Sequence, residues 1–159
     1  MDLTSKTPEQ LELIISRHRD AGKMSAALCR EAMAELSTRT EKGFDLKKAI
    51  DHLIVAAKSG APTDFKKIAT ASGAFDENKQ KWGNWATGAL KLDRLCIYCA
   101  HHHLPQLTAM LGNAGGMTSD AVCEGFLKGL DAAGIAHSGD ARGVYEEHRR
   151  ACIEWGKTA

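Results

Sequence analysis

Apolar residues recur at helical spacing through most of this chain, and punctuating residues break the pattern into segments. Thr7-Pro8-Glu9-Gln10 has a capping hydroxyl, a Pro in the first turn and an acid, which together predict a helix start. Leu11, Ile14, Ile15 and His18 continue it to Ala21-Gly22. Met24, Ala27, Leu28, Met33 and Leu36 predict a second helix reaching about Thr40, ended by Gly43. Asp45 can cap a third, whose apolar face is Leu46, Ala49, Ile50, Leu53, Ile54 and Ala57, stopped at Ser59-Gly60-Ala61-Pro62.

The stretch 62–113 carries the order that matters most. Thr63 or Asp64 caps a short helix with Phe65, Ile68 and Ala69 inward, ended by Gly73. A polar loop from Ala74 to Gln80 follows, and a fifth helix is predicted from near Lys81 to His103. Leu104-Pro105 must leave that helix, because proline disfavours helical geometry at the residue before it. Leu107–Leu111 reads as a strand and Asn113–Gly116 as a turn. Thr118 or Ser119 caps a sixth helix ending at Gly134, and Ala141–Trp155 forms the last. The expected fold is mainly α: a helical hairpin over residues 1–42, then a winged helix-turn-helix core with one short strand and C-terminal helices over 43–159.

Composition supports one ordinary domain of 159 residues, with 43% hydrophobic and 26% charged residues. The net charge of +1 excludes a protein that packages nucleic acid through its global field. Any contact with phosphates has to come from a local patch. Five cysteines, an odd number set mostly in helical patterns, favour reduced thiols in a cytoplasm. No apolar run approaches the roughly 20 residues of a membrane span, and the N-terminus lacks the features of a secretory signal.

The residues Asp64-Phe65-Lys66-Lys67-Ile68-Ala69 with Gly73, then Leu95, Tyr98, Cys99, Leu104, Pro105, Leu107 and Thr108 up to Asn113, resemble winged-helix domains found alongside restriction enzymes and mobile-element defence proteins. A more distant likeness is to the DNA-binding half of alkyltransferase-like proteins. The resemblance covers about the middle half of the chain and consists mainly of core and turn positions. It implies that the short helix supports, the next helix is presented, and the Leu104-Pro105 segment leads into a wing. It also implies a phage, plasmid or defence setting. The Pro-Cys-His-Arg run of the alkyltransferases is missing, so alkyl transfer is not implied.

The candidate nucleic-acid contacts are Lys79, Lys81, Asn84, Lys91 and Arg94 with Gln80 along the predicted fifth helix, Lys66 and Lys67 before it, and Asn113 at the turn. Lys and Arg neutralise phosphates, while Asn and Gln can read adenine edges. A solvated helix face is the plainer account of the same charges. Cys96 and Cys99 with His103 have zinc-compatible residue types at helical spacing, but no second ligand pair follows, and buried cysteine behaves as a small hydrophobe. A thiol nucleophile at either cysteine lacks an orienting acid. Trp82 and Trp85 could meet bases or a protein, though at helical spacing they fit a core better. Gly112–Gly116 is not a phosphate loop, since no Gly-Lys-Ser/Thr follows. The leading expectation is thus a non-enzymatic, cofactor-free, metal-free protein that binds DNA or a DNA-associated machine. The alternative is a protein-interaction module, such as an inhibitor or accessory subunit of a nucleic-acid enzyme.

Overall fold

The computed structural model describes residues 2–39, 43–82 and 90–159. Among these, seven α-helices run α1 Pro8–Asp20, α2 Ala27–Ser37, α3 Leu46–Ser59, α4 Phe65–Ser72, α5 Leu92–His101, α6 Asp120–Ala132 and α7 Ala141–Thr158. No described helix is long and apolar enough to cross a membrane. Two short strands, β1 Thr63–Asp64 and β2 Leu111–Gly112, pair in parallel with Thr63 opposite Leu111 and Asp64 opposite Gly112.

The expected capping chemistry is in place. Thr7 and Gln10 form a reciprocal capping box at α1, Asp45 accepts from the Lys48 amide at α3, Asp64 from Lys67 at α4, and Ser119 from Val122 at α6. Gly60 and Gly73 end α3 and α4 in the left-handed conformation, where a side chain would be strained.

Two expectations need correction. The fifth helix does not run from Lys81 to His103. Lys81 is not helical, α5 starts only at Leu92, and Lys91 before it takes a left-handed backbone, φ 50°, that breaks any helix arriving from upstream. Asn84, Trp85 and Ala89 lie outside the described residues. The strand expected at Leu107–Leu111 is mostly a 3₁₀ turn, Leu107–Met110, with extended backbone only at Leu111–Gly112. Four of its residues are buried together, so no alternation between two faces is imposed on them.

Two apolar clusters fill the interior. The larger joins α3, α4, α6 and α7 with the 107–111 segment, and it takes Leu95 and Cys99 from α5. The smaller joins α1 and α2 and takes Cys96 and Ile97 from α5. Helix α5 is therefore a wall with a core on each side, and the N-terminal hairpin of α1 and α2 closes the smaller one. Tyr145 and Arg149 of α7 tie the 109–111 segment down: the Tyr145 hydroxyl donates to the Leu111 carbonyl at 2.6 Å and Arg149 Nε to Ala109 at 2.8 Å.

Helices α3 and α7 approach closely where Gly156 faces the Ala57 carbonyl, and a Cβ there would overlap that backbone. Gly→Ala inside a helix ordinarily gains about 1 kcal/mol. Here the clash reverses the sign, and Gly156→Ala should cost about 1–3 kcal/mol in urea unfolding. A gain in stability would show that the two helices are not packed this tightly.

Candidate functional site

The sequence candidates divide into three places. Lys66 and Lys67 stand exposed in the first turn of α4, and Asn113 is exposed where β2 ends. The β1–β2 pairing sets these two elements side by side. Asp64 fixes their spacing: one carboxylate oxygen accepts from the Lys67 amide at 2.9 Å, the other from the Gly115 amide at 3.2 Å. The turn holds its own shape through Asn113 N–H donating to Met117 at 2.8 Å and Asn113 Nδ2 donating to Ser119 Oγ at 3.1 Å. Among the described residues no carboxylate forms an ion pair with Lys66 or Lys67.

His52 of α3 backs this surface, its Nε2 lying 2.7 Å from Thr63 Oγ1. Burial lowers its pKa and Lys67 lowers it further, against an opposing pull from Asp64. His52 is therefore neutral at pH 7 and adds no charge to the face. The residues exposed along α4 are Lys66, Lys67, Thr70 and Ala71, while Ile68, Ala69 and Ser72 face the core.

Lys79 and Lys81 are exposed beyond the other end of α4, in a loop closed by an edge-on contact of Phe75 and Trp82 with ring centres 5.3 Å apart. They do not join Lys66 and Lys67 in the first turn. Trp82 is half-buried against the larger core.

Lys91 and Arg94 form the third place, and neither belongs to an open basic face. Arg94 is only 2% exposed, and its Nε and Nη2 both donate to Glu12 Oε1 of α1 at 3.1 Å. The pair links α1 to α5 across 82 positions of sequence. Lys91 is half-buried and lines a cleft of about 690 Å³ between α1 and α5, where the acids Glu9, Glu12 and Asp93 stand among the bases Lys91, Arg19 and Arg94.

All five cysteines are buried. Cys96 and Cys99 belong to different clusters, and burial pushes both thiols up to about 12, as it does Cys152. Burial likewise raises Cys29 and Cys123. Thiolate is therefore disfavoured at neutral pH at these positions. His103 is exposed with a left-handed backbone, φ 56°, after the end of α5. Among the described residues no group of three or more His, Cys, Asp or Glu side chains is arranged to hold a metal ion.

Sequence reasoning places Asp64 as a cap but misses its second bond, because Gly115 is 51 residues away. It also misses Glu12 as a partner of Arg94. A comparison with protein-family models, curated proteins and solved structures finds no match for this chain.

The thiols supply a direct check. Native protein at pH 8 should leave all five cysteines essentially unmodified by a disulfide reagent, and guanidinium should release all five. Rapid modification of Cys96 or Cys99 in the folded state would contradict their burial.

Proposed function

We propose that this chain is a non-enzymatic binding protein that contacts DNA through the first turn of α4 and the adjoining turn at Asn113. In this reading α3 and α4 form a helix-turn-helix, α4 is the presented helix, and residues 113–117 serve as the wing. The presented element thus moves from the segment beginning at Lys81 to α4, since α5 is walled in on two sides. The observation that carries the reading is the placement of two exposed lysines, without ion pairs among the described residues, beside an exposed asparagine, on a helix end held to its turn by Asp64. Residues near the start of a presented helix are those that reach a groove in helix-turn-helix proteins. Lys66 and Lys67 would take phosphates and Asn113 a phosphate or base edge. Lys79 and Lys81 would add weaker contacts flanking the helix.

With a net charge of +1, non-specific affinity should be modest, on the order of 10⁻⁴–10⁻⁶ M, and steeply salt-dependent. A machine of the mobile-element kind would supply the remaining specificity. Should the partner be a protein instead, Met117, 68% exposed at the end of the same turn, offers it an apolar anchor.

The test is fluorescence anisotropy on a generic duplex at low and moderate salt, with a Lys66→Glu/Lys67→Glu variant alongside. Acids in the first turn of a helix suit its dipole, so the variant should fold with an undiminished Tm. Its affinity should fall at least about tenfold, and its salt slope should shrink by about 0.9 for each phosphate that is no longer neutralised. Unchanged binding by the variant would remove the α4 face from the DNA interface, and no binding by the parent at low salt would move the surface to a protein partner.

A further inference from the structure

A cavity of about 300 Å³ opens between α5, α6 and the 108–113 segment. Its size sits at the lower end of the range for ligand sites, so its occupant must be small. Phe65, Phe126 and Tyr145 line it, with Thr108 and the Cys96 thiol among the deeper polar groups and Asp93 on its wall. Phe126 meets Tyr145 edge-on with ring centres 5.6 Å apart. Arg149 already lies over the Tyr145 ring at 4.7 Å, which leaves Phe65 and the part of Phe126 not covered by His148, whose ring centre lies 5.2 Å away, as the aromatic surfaces for a newcomer.

The α6 side of the cavity is lined by residues without bulk. Ala121, Gly125 and Gly129 follow one another at four-residue spacing and all three line the cavity. Glycine inside a helix weakens it, so each should have a reason. Gly129 has a packing reason: a Cβ there would come within 2.6 Å of Cys96 Sγ. Gly125 has none, because a Cβ there would meet nothing within 4 Å. Gly125 is exposed and lines the cavity, so its missing side chain leaves that edge uncovered.

Asp93 decides the chemistry. It forms no hydrogen bond or ion pair among the described residues, although it stands in the first turn of α5 between two cavities. Its side chain is exposed by surface area, and partial desolvation with the neighbouring Glu12 holds its carboxyl above the ordinary carboxylate range, against a weaker opposing pull from Arg19. A carboxylate in such surroundings favours an incoming cation, and aromatic faces attract the same charge.

We propose that the cavity between α5 and α6 binds a small organic cation, an amidinium or ammonium on a compact apolar body, with the charge at Asp93 and the body against Phe65 and Phe126. The cavity adjoins the proposed DNA face, since Asn113 lines it and Phe65 precedes Lys66 in α4, but the cation proposal does not rest on DNA binding.

Protein-observed ¹H–¹⁵N NMR titration with benzamidine tests it, with benzamide as the neutral control of matching shape. Benzamidine should give saturable shifts at Gly125, Phe126 and Gly129, with a dissociation constant on the order of 1 mM for so small a ligand. Benzamide should bind at least about tenfold more weakly. Asp93→Asn should abolish the preference for benzamidine. Gly125→Leu, which substitutes a better helix former at an exposed position, should keep the fold and lose both ligands. Three results would overturn the proposal: no saturable shift, equal binding of benzamidine and benzamide, or shifts confined to Glu9, Leu13 and Ser16 in the α1–α5 cleft and unaffected by Gly125→Leu.

Discussion

Helix α5 is buried on two faces, and most of the molecule is arranged around that constraint. Leu95 and Cys99 enter one core and Cys96 and Ile97 the other, so the helix has little surface left for polar residues. Any charge on it must be paired or sit at an end. Arg94 is paired with Glu12 of α1, and removing that carboxylate would take one charge partner from a guanidinium in a nearly closed environment. The same contact holds the α1–α2 hairpin on the smaller core. Lys91 and Asp93 sit at the N-terminal end, where the left-handed turn at Lys91 aims the chain into the wall.

With α5 committed to packing, the surface available for recognition lies elsewhere. Asp64 organises it with a single carboxylate, capping α4 with one oxygen and holding the Asn113–Met117 turn with the other. The parallel pairing of β1 and β2 brings those two pieces together from positions about fifty residues apart, and the Tyr145 and Arg149 contacts keep the second piece in place. The proposed DNA face is thus a product of tertiary closure, although its two lysines are adjacent in sequence.

Local signals are legible in the sequence. Capping residues at Thr7, Asp45, Asp64 and Ser119, and glycines at Gly60 and Gly73, mark helix ends through bonds and backbone angles that involve only neighbouring residues. Tertiary signals are not. Lys91, Asp93 and Arg94 resemble a solvated helix face, and nothing near them in the sequence announces that Arg94 turns inward to meet Glu12. The apolar run at Leu107–Met110 has the composition of a strand, yet burial of four successive residues is satisfied equally by a 3₁₀ turn. Of the candidate contacts, Lys66, Lys67 and Asn113 converge, Lys79 and Lys81 remain exposed but apart, and Lys91 and Arg94 are drawn into the cleft beside α1. The small residues that open the α6 cavity look in sequence like part of an ordinary helix, since the space they leave exists only once α5 is packed opposite.

Native-state amide hydrogen exchange tests the central role of α5 most directly. If α5 is the wall between two cores, the amides of Ile97 and Cys99 should exchange only through global unfolding, with protection free energies equal to the stability from denaturant unfolding. Exchange of those amides as fast as that of the frayed ends of α1 or α7 would contradict the account, because a helix presented to solvent would open locally without disturbing either core.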